Sequence, residues 1–246
     1  MKMWKSILFG ILTAILIAVM VVSVLAGQKY KERIECTGLK IEIIDNHINN
    51  FVLEEEIKEL LDKEFGSCKG YLADSINLVK IEKVISTKSA VKDAIAYVSK
   101  DGLLNIKVTQ QKPIARLQTR GGGYYINENG GLFPLQKNYT SHVLVVDGEI
   151  KAKPDPEWVQ QVVNLIHLIQ EHKKWENAIV QINVKKGGEL VLIPREGKEK
   201  FLIGQPVRIE EKLRKIETYY SHIKPNIIDK YYEHIDLRYG KQIICK

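Results

Sequence analysis

Apolar positions along the 246-residue chain fall into three textures. The first is continuous. From Ile7 to Ala26, ILFGILTAILIAVMVVSVLA, twenty residues pass without a charge. At about 1.5 Å per residue, a helix of that length reaches ~30 Å, the apolar thickness of a bilayer. The run exceeds the ~7–15 apolar residues of a cleaved leader, so an uncleaved transmembrane helix is expected over 7–26, behind a short cytoplasmic head, 1–6. Val24-Leu25-Ala26 keeps a cleaved leader as the alternative. Lys2 and Lys5 precede the run, and Lys29, Lys31 and Arg33 follow it, so basic residues alone do not orient it. Long C-terminal segments cross a membrane with little regard to charge, which places the bulk of the chain outside the cytoplasm.

The second texture begins after a polar linker, 27–38. Leu39-Lys-Ile-Glu-Ile-Ile44 alternates as a strand does. Asn49 and Asn50 are helix-capping candidates, and Glu54, Glu55 and Glu56 suit the positive end of a helix. Leu53, Ile57, Leu60, Leu61 and Phe65 share one helical face, and Gly66 ends it. Leu78, Ile81, Val84 and Ile85 repeat that spacing in a second helix. Two strands follow, Val91–Val98 and the alternating Leu104, Ile106 and Val108, joined through Asp101-Gly102, a strong hairpin signal. Residues 39–110 therefore read as a compact strand–helix–helix–strand–strand module.

From 111 to 246 the texture changes to short strands and glycine-rich turns: Tyr124–Ile126, Val143–Val146, Ile179–Val184, Leu190–Pro194 and Phe201–Ile203. Two helices interrupt them. One has Asp155 as cap and Pro156 in its first turn, with Trp158, Val162, Leu165, Ile166 and Ile169 on one face. The other runs from about Ile209 to His222, with Leu213, Ile216 and Tyr220 inward and Pro225 beyond. The tail alternates again through Tyr231, Glu233, Ile235, Leu237 and Tyr239. The fold class is α+β, an N-terminal helix followed by two domains.

Chemistry narrows the picture mainly by exclusion. The net charge of +7 is spread among interleaved glutamates, with no block of five like charges, so a solvated surface is expected and no nucleic acid. Six of the 17 glycines lie between 121 and 148. Neither a G-x-G-x-x-G loop nor a P-loop can be placed there, because the required sixth positions are Ile126 and Glu128. Asn127-Glu-Asn-Gly-Gly131 instead joins the two arms of a hairpin. No nucleophile–base set and no metal-ligand spacing can be assembled, so no catalytic, cofactor-binding or metal residue is assigned and no small-molecule substrate is expected. Cys36, Cys68 and Cys245 are widely spaced; a Cys36–Cys68 disulfide is compatible with an extracytoplasmic body, although three separate thiols are the expectation.

Beyond one span and the 39–110 module, Gln110-Gln-Lys-Pro-Ile-Ala115 leads into Gly123-Tyr-Tyr-Ile126 and Gly130-Gly-Leu-Phe-Pro134, and Ile235-Asp-Leu-Arg-Tyr239 comes near the end. In this order, these residues resemble the FtsQ/DivIB cell-division proteins, especially the form seen in Bacteroidota-like bacteria. The resemblance implies a POTRA domain at 39–110, a β domain at 111–246, and a scaffold role at the division septum in the inner membrane. It also implies binding of an FtsB/FtsL coiled-coil pair, which adds a strand to the last strand of the β domain. The matching stretch here is Gly240-Lys-Gln-Ile-Ile-Cys245, with Tyr239, Lys241, Gln242, Ile243 and Ile244 as candidate partner-binding residues. A sheet edge offers unpaired N–H and C=O groups to such a strand. Val91–Val98 is a second docking candidate, and Asp236 and Arg238 suit either an ion pair or hydrogen bonds within the sheet or a contact with the partner. A POTRA-containing factor of envelope protein export is the other reading, but a barrel-forming exporter needs many ~10-residue membrane strands for which this chain has no room.

Overall fold

A computed structural model describes residues 2–31, 34–172, 175, 178–227 and 231–246, with the backbone alone at 2–9 and 27–31. It divides into two compact units, Met1–Gln110 and Gln111–Lys246.

The first unit opens with helix α1 (Lys2–Lys31), so helical backbone covers most of the expected head and extends into the expected linker. Two residues of that linker, 32 and 33, lie outside the described residues, as do the side chains of Lys2, Lys5, Lys29 and Lys31. All the side chains described on α1, 10–26, are exposed, among them Leu16, Met20 and Val22. Among the described residues, no helix is long and apolar enough to cross a membrane. The apolar run expected to do so includes residues 7–9, whose side chains are outside the description.

Strand β1 (Gly38–Ile43), helices α2 (Glu54–Phe65) and α3 (Leu78–Ile85), and strands β2 (Val91–Val98) and β3 (Leu103–Gln110) follow in the expected order. The sheet order is β1-β3-β2, with β1 parallel and β2 antiparallel to β3. Leu104, Ile106 and Val108 are all buried, as their alternation requires, against Ile57 and Leu61 of α2 and Ile81 and Ile85 of α3. Gly102 turns the β2–β3 hairpin at φ +83°, and a Cβ there would sit 2.2 Å from the Glu35 carbonyl oxygen, so only glycine fits.

The helix caps differ from expectation. Asn77 caps α3 by accepting from the Lys80 N–H at 3.0 Å, whereas α2 starts behind Leu53 with no side-chain cap. Asn49 is instead buried in the loop before α2. Gln110 holds that loop. Its side chain, 1% exposed, accepts from the Phe51 and Val52 N–H groups at 2.7 and 2.9 Å and donates to the Asn49 carbonyl at 2.6 Å. Loop backbone that would otherwise be buried without partners is thereby satisfied.

The second unit is one nine-stranded mixed sheet of order β12-β11-β10-β9-β8-β7-β4-β5-β6. The strands are β4 (Pro113–Thr119), β5 (Gly122–Asn127), β6 (Leu132–Pro134), β7 (Leu144–Gly148), β8 (Ile179–Val184), β9 (Leu190–Pro194), β10 (Lys200–Gly204), β11 (His234–Asp236) and β12 (Ile244–Cys245). The glycine stretch turns the β5–β6 hairpin: the Asn127 side chain accepts from Asn129 and Gly131 N–H at 3.0 and 2.7 Å, and Gly130 has φ +80°. Helix α4 (Pro156–Glu171) is capped by Asp155 and packs Val162, Leu165, Ile166 and Ile169 into the core. Helix α5 (Ile209–Thr218) passes into a wider π-type turn, Tyr219–Ile223, so the α-helix expected to His222 stops earlier. That widening points Tyr219 into the core, edge-on to Phe201 at 5.7 Å, and leaves Tyr220 half-buried.

Replacing Gln110 with alanine removes its hydrogen bonds to the Phe51 and Val52 N–H groups and to the Asn49 carbonyl. The variant is expected to destabilise the first unit by about 2–4 kcal/mol, measured as a lowered midpoint in denaturant unfolding.

Candidate docking edge

The expected terminal strand is shorter than its alternation suggested. Only His234–Asp236 and Ile244–Cys245 are extended, and 237–243 between them is irregular. Ile235 and Leu237 are fully buried, so the alternation records burial beyond the ends of β11. β11 pairs parallel with β10 through Lys200, Phe201 and Leu202.

An ion pair follows directly. Asp236, 7% exposed, accepts from the Arg238 backbone N–H at 3.1 Å, Nε at 2.9 Å and NH2 at 2.7 Å. The hydrogen bonds from Arg238 hold the Asp236 carboxyl below the usual carboxylate range, against the opposing effect of burial. The same guanidinium reaches Glu189 at 3.3 Å, and the arginine stem lies over Gly204, where a Cβ would come within 2.9 Å of it. Lys215 of α5 donates to the Leu237 and Tyr239 carbonyls at 3.4 and 2.5 Å. The chain leaving β11 is therefore tied to β9 and to α5.

β12 is one edge of the sheet. Lys246 exchanges both backbone hydrogen bonds with His234, at 2.9 and 3.0 Å, and Ile244 is the next bonded partner, opposite Asp236. In an antiparallel ladder the intervening residues turn their N–H and C=O groups the other way. Those of Ile243 and Cys245 thus face outward, and no described segment lies beyond them. Side chains alternate too: Ile243 and Cys245 pack on the core cluster. Tyr239, 50% exposed, sits with Lys241 and Gln242 in the connecting turn, so these three flank the edge and do not belong to its strand.

Two other edges carry blocking groups. Pro134 ends β6, the opposite edge of the same sheet. In the first unit β2 is an edge, but two of its outward donors are used: Ala94 N–H donates to Asp93 at 2.9 Å and Ala96 N–H to Glu82 of α3 at 2.8 Å. The second docking candidate, Val91–Val98, is therefore blunted by carboxylates within its own unit. Among the described residues no cluster of three potential metal ligands occurs.

The fold is thus a strand–helix–helix–strand–strand unit followed by a mixed sheet with β12 at one edge. Residues 34–109 match the model of a POTRA-like domain, and residues 112–246 match the model described as FtsQ/DivIB, C-terminal related. No curated protein matches the chain. The chain belongs to the FtsQ/DivIB family, whose members are non-catalytic cell-division proteins.

Removing the arginine leaves Asp236 a nearly buried, unpaired carboxylate. Arg238→Ala is expected to cost the second unit about 1–3 kcal/mol by thermal or denaturant unfolding. Asp236 titrates below its unfolded value of about 3.9. Its contribution is therefore complete above that pH and lost as pH falls through the lower folded value, so stability should drop on acidification below pH ~4. Asp236→Asn should flatten that part of the pH profile.

Proposed function

We propose that this protein is a single-span scaffold of the division septum. It is held in the inner membrane by the 7–26 segment, with a head at 1–6, a linker over 27–38, and the 39–110 and 111–246 domains outside the cytoplasm. It has no catalytic role. Its partner is an extended segment of a coiled-coil pair of the FtsB/FtsL kind, which extends the nine-stranded sheet by pairing along β12. The observation that carries this is the open outer side of β12, along which the backbone groups of Cys245, and of Ile243 just before the strand, face no described strand. Strand addition there satisfies the unpaired donors and acceptors and provides affinity through the main chain. Ile244, Tyr239 and Gln242 supply side-chain contacts, and Lys241 meets an acidic residue of the partner.

Two proline variants separate the two sides of the strand. Ile243→Pro removes an outward donor and leaves the β11–β12 ladder intact, whereas Ile244→Pro breaks that ladder. Ile243→Pro should weaken capture of the FtsB/FtsL pair at least tenfold, a loss of about 1.4 kcal/mol or more, with unchanged melting of the second unit. Undiminished capture by that variant rules out docking at β12. Intact mass of the protein from membranes should include residues 1–26, and an N-terminal fluorescent fusion should form a midcell band in dividing cells.

A further inference from the structure

The segment leading into β1 is sewn to the loop after α2 by backbone pairing. Cys36 N–H donates to the Tyr71 carbonyl at 2.7 Å, Gly70 N–H to the Cys36 carbonyl at 2.8 Å, and Ala73 N–H to the Ile34 carbonyl at 2.8 Å. Glu35 and Leu72 form an antiparallel bridge between the same two segments. This fixes the backbone on both sides of two cysteines that are 32 positions apart in sequence, and their Sγ atoms lie 3.0 Å apart. The loop gains its shape from Gly66 and Gly70, both at positive φ, which a bulkier residue would strain. We propose that Cys36 and Cys68 form a disulfide that locks the start of the first unit onto the α2–α3 loop, leaving Cys245 as the free thiol.

A disulfide needs sulfurs at about 2.05 Å, so the pair must close by roughly 1 Å, within reach of side-chain rotation while the backbone stays in place. The two sulfurs differ in access. Cys36 is 2% exposed, while Cys68 is half-buried and lines an open cleft of about 240 Å³ with Phe65, Asp62 and Lys58. An oxidant of the disulfide class therefore meets Cys68 first. The Cys68 thiolate attacks the oxidant's disulfide and expels one thiol. The Cys36 thiolate then attacks Cys68 Sγ and expels the second. One S–S bond forms within the chain, one is lost in the oxidant, and two hydrogens pass from the protein to it. Burial and the neighbouring Cys36 push the Cys68 thiol up to about 11. The folded, reduced pair is therefore a slow nucleophile, which fits a structural bond made during folding and not a redox-cycling one. A bond of this span removes freedom from the unfolded chain, and it sits where the segment after the N-terminal helix joins the sheet.

The proposal rests on the extracytoplasmic placement of the unit, so the test has two arms. Purified full-length protein is refolded with oxidised glutathione, alkylated under denaturing conditions and mapped by mass spectrometry. The same alkylation and mapping are applied to protein trapped directly in cells. Both arms should show a peptide pair joined through Cys36 and Cys68 and an alkylated Cys245. Joining of either cysteine to Cys245, or three alkylated thiols in both arms, overturns the proposal through its geometry. A bond in the purified protein with three alkylated thiols in cells overturns it through the compartment. Reduction of the purified protein should lower the melting temperature of the first unit by on the order of 10 °C, and a Cys36→Ala, Cys68→Ala variant should melt like the reduced form. Equal melting of oxidised and reduced protein also defeats the proposal.

Discussion

A three-residue strand cannot hold its place in a sheet by its own ladder, and the free edge of this protein depends on one such strand. β11 is kept in position by what surrounds it. Ile235 and Leu237 are fully buried beneath the sheet, Phe201 pairs alongside, and Asp236 is bound by the arginine two positions on. The ion pair matters for its position more than for its charge. Exposed pairs elsewhere, such as Lys200 with Glu233, are screened by solvent and contribute little. Asp236 is nearly buried, so losing its partner would leave a desolvated carboxylate, and that penalty holds the tail in one arrangement. β12 is displayed only because β11 beneath it is immobilised.

Each sheet manages its edges differently. A carboxylate from α3 and another from β2 itself occupy two outward donors of the first unit's β2. Proline ends β6. These are familiar ways of keeping a sheet from recruiting strange strands, and their absence at β12 sets that edge apart. β12 carries neither device among the described residues.

Much of the molecule was legible in order and periodicity. Strong alternation at Leu104, Ile106 and Val108, and helical spacing at Val162, Leu165, Ile166 and Ile169, correspond to burial in the structure. Other elements were not legible. Pro113–Thr119 opens on proline and mixes charged with apolar residues, so nothing in its pattern marks a strand; its place between β5 and β7 makes it one. Asn49 and Asn50 have the chemistry of caps, yet the buried Gln110 side chain claims that loop from the far end of β3. At the candidate edge the expectation took Tyr239, Lys241, Gln242, Ile243 and Ile244 as one group. Their roles divide only in three dimensions: Tyr239, Lys241 and Gln242 turn the chain, and Ile244 lies in the strand.

By itself, the sequence determined the order of elements, the apolar N-terminal run and the turn glycines, because these depend on neighbours within a few residues. Tertiary structure decided which strands are edges, which outward N–H groups already have partners, and that Cys36 meets Cys68. Those facts rest on groups well separated in sequence: Glu82 reaching Ala96, Lys246 pairing with His234, and the Cys68 loop meeting Cys36. Local periodicity records whether a side chain is buried, but a hydrogen bond across a sheet is settled only when both strands have found their places.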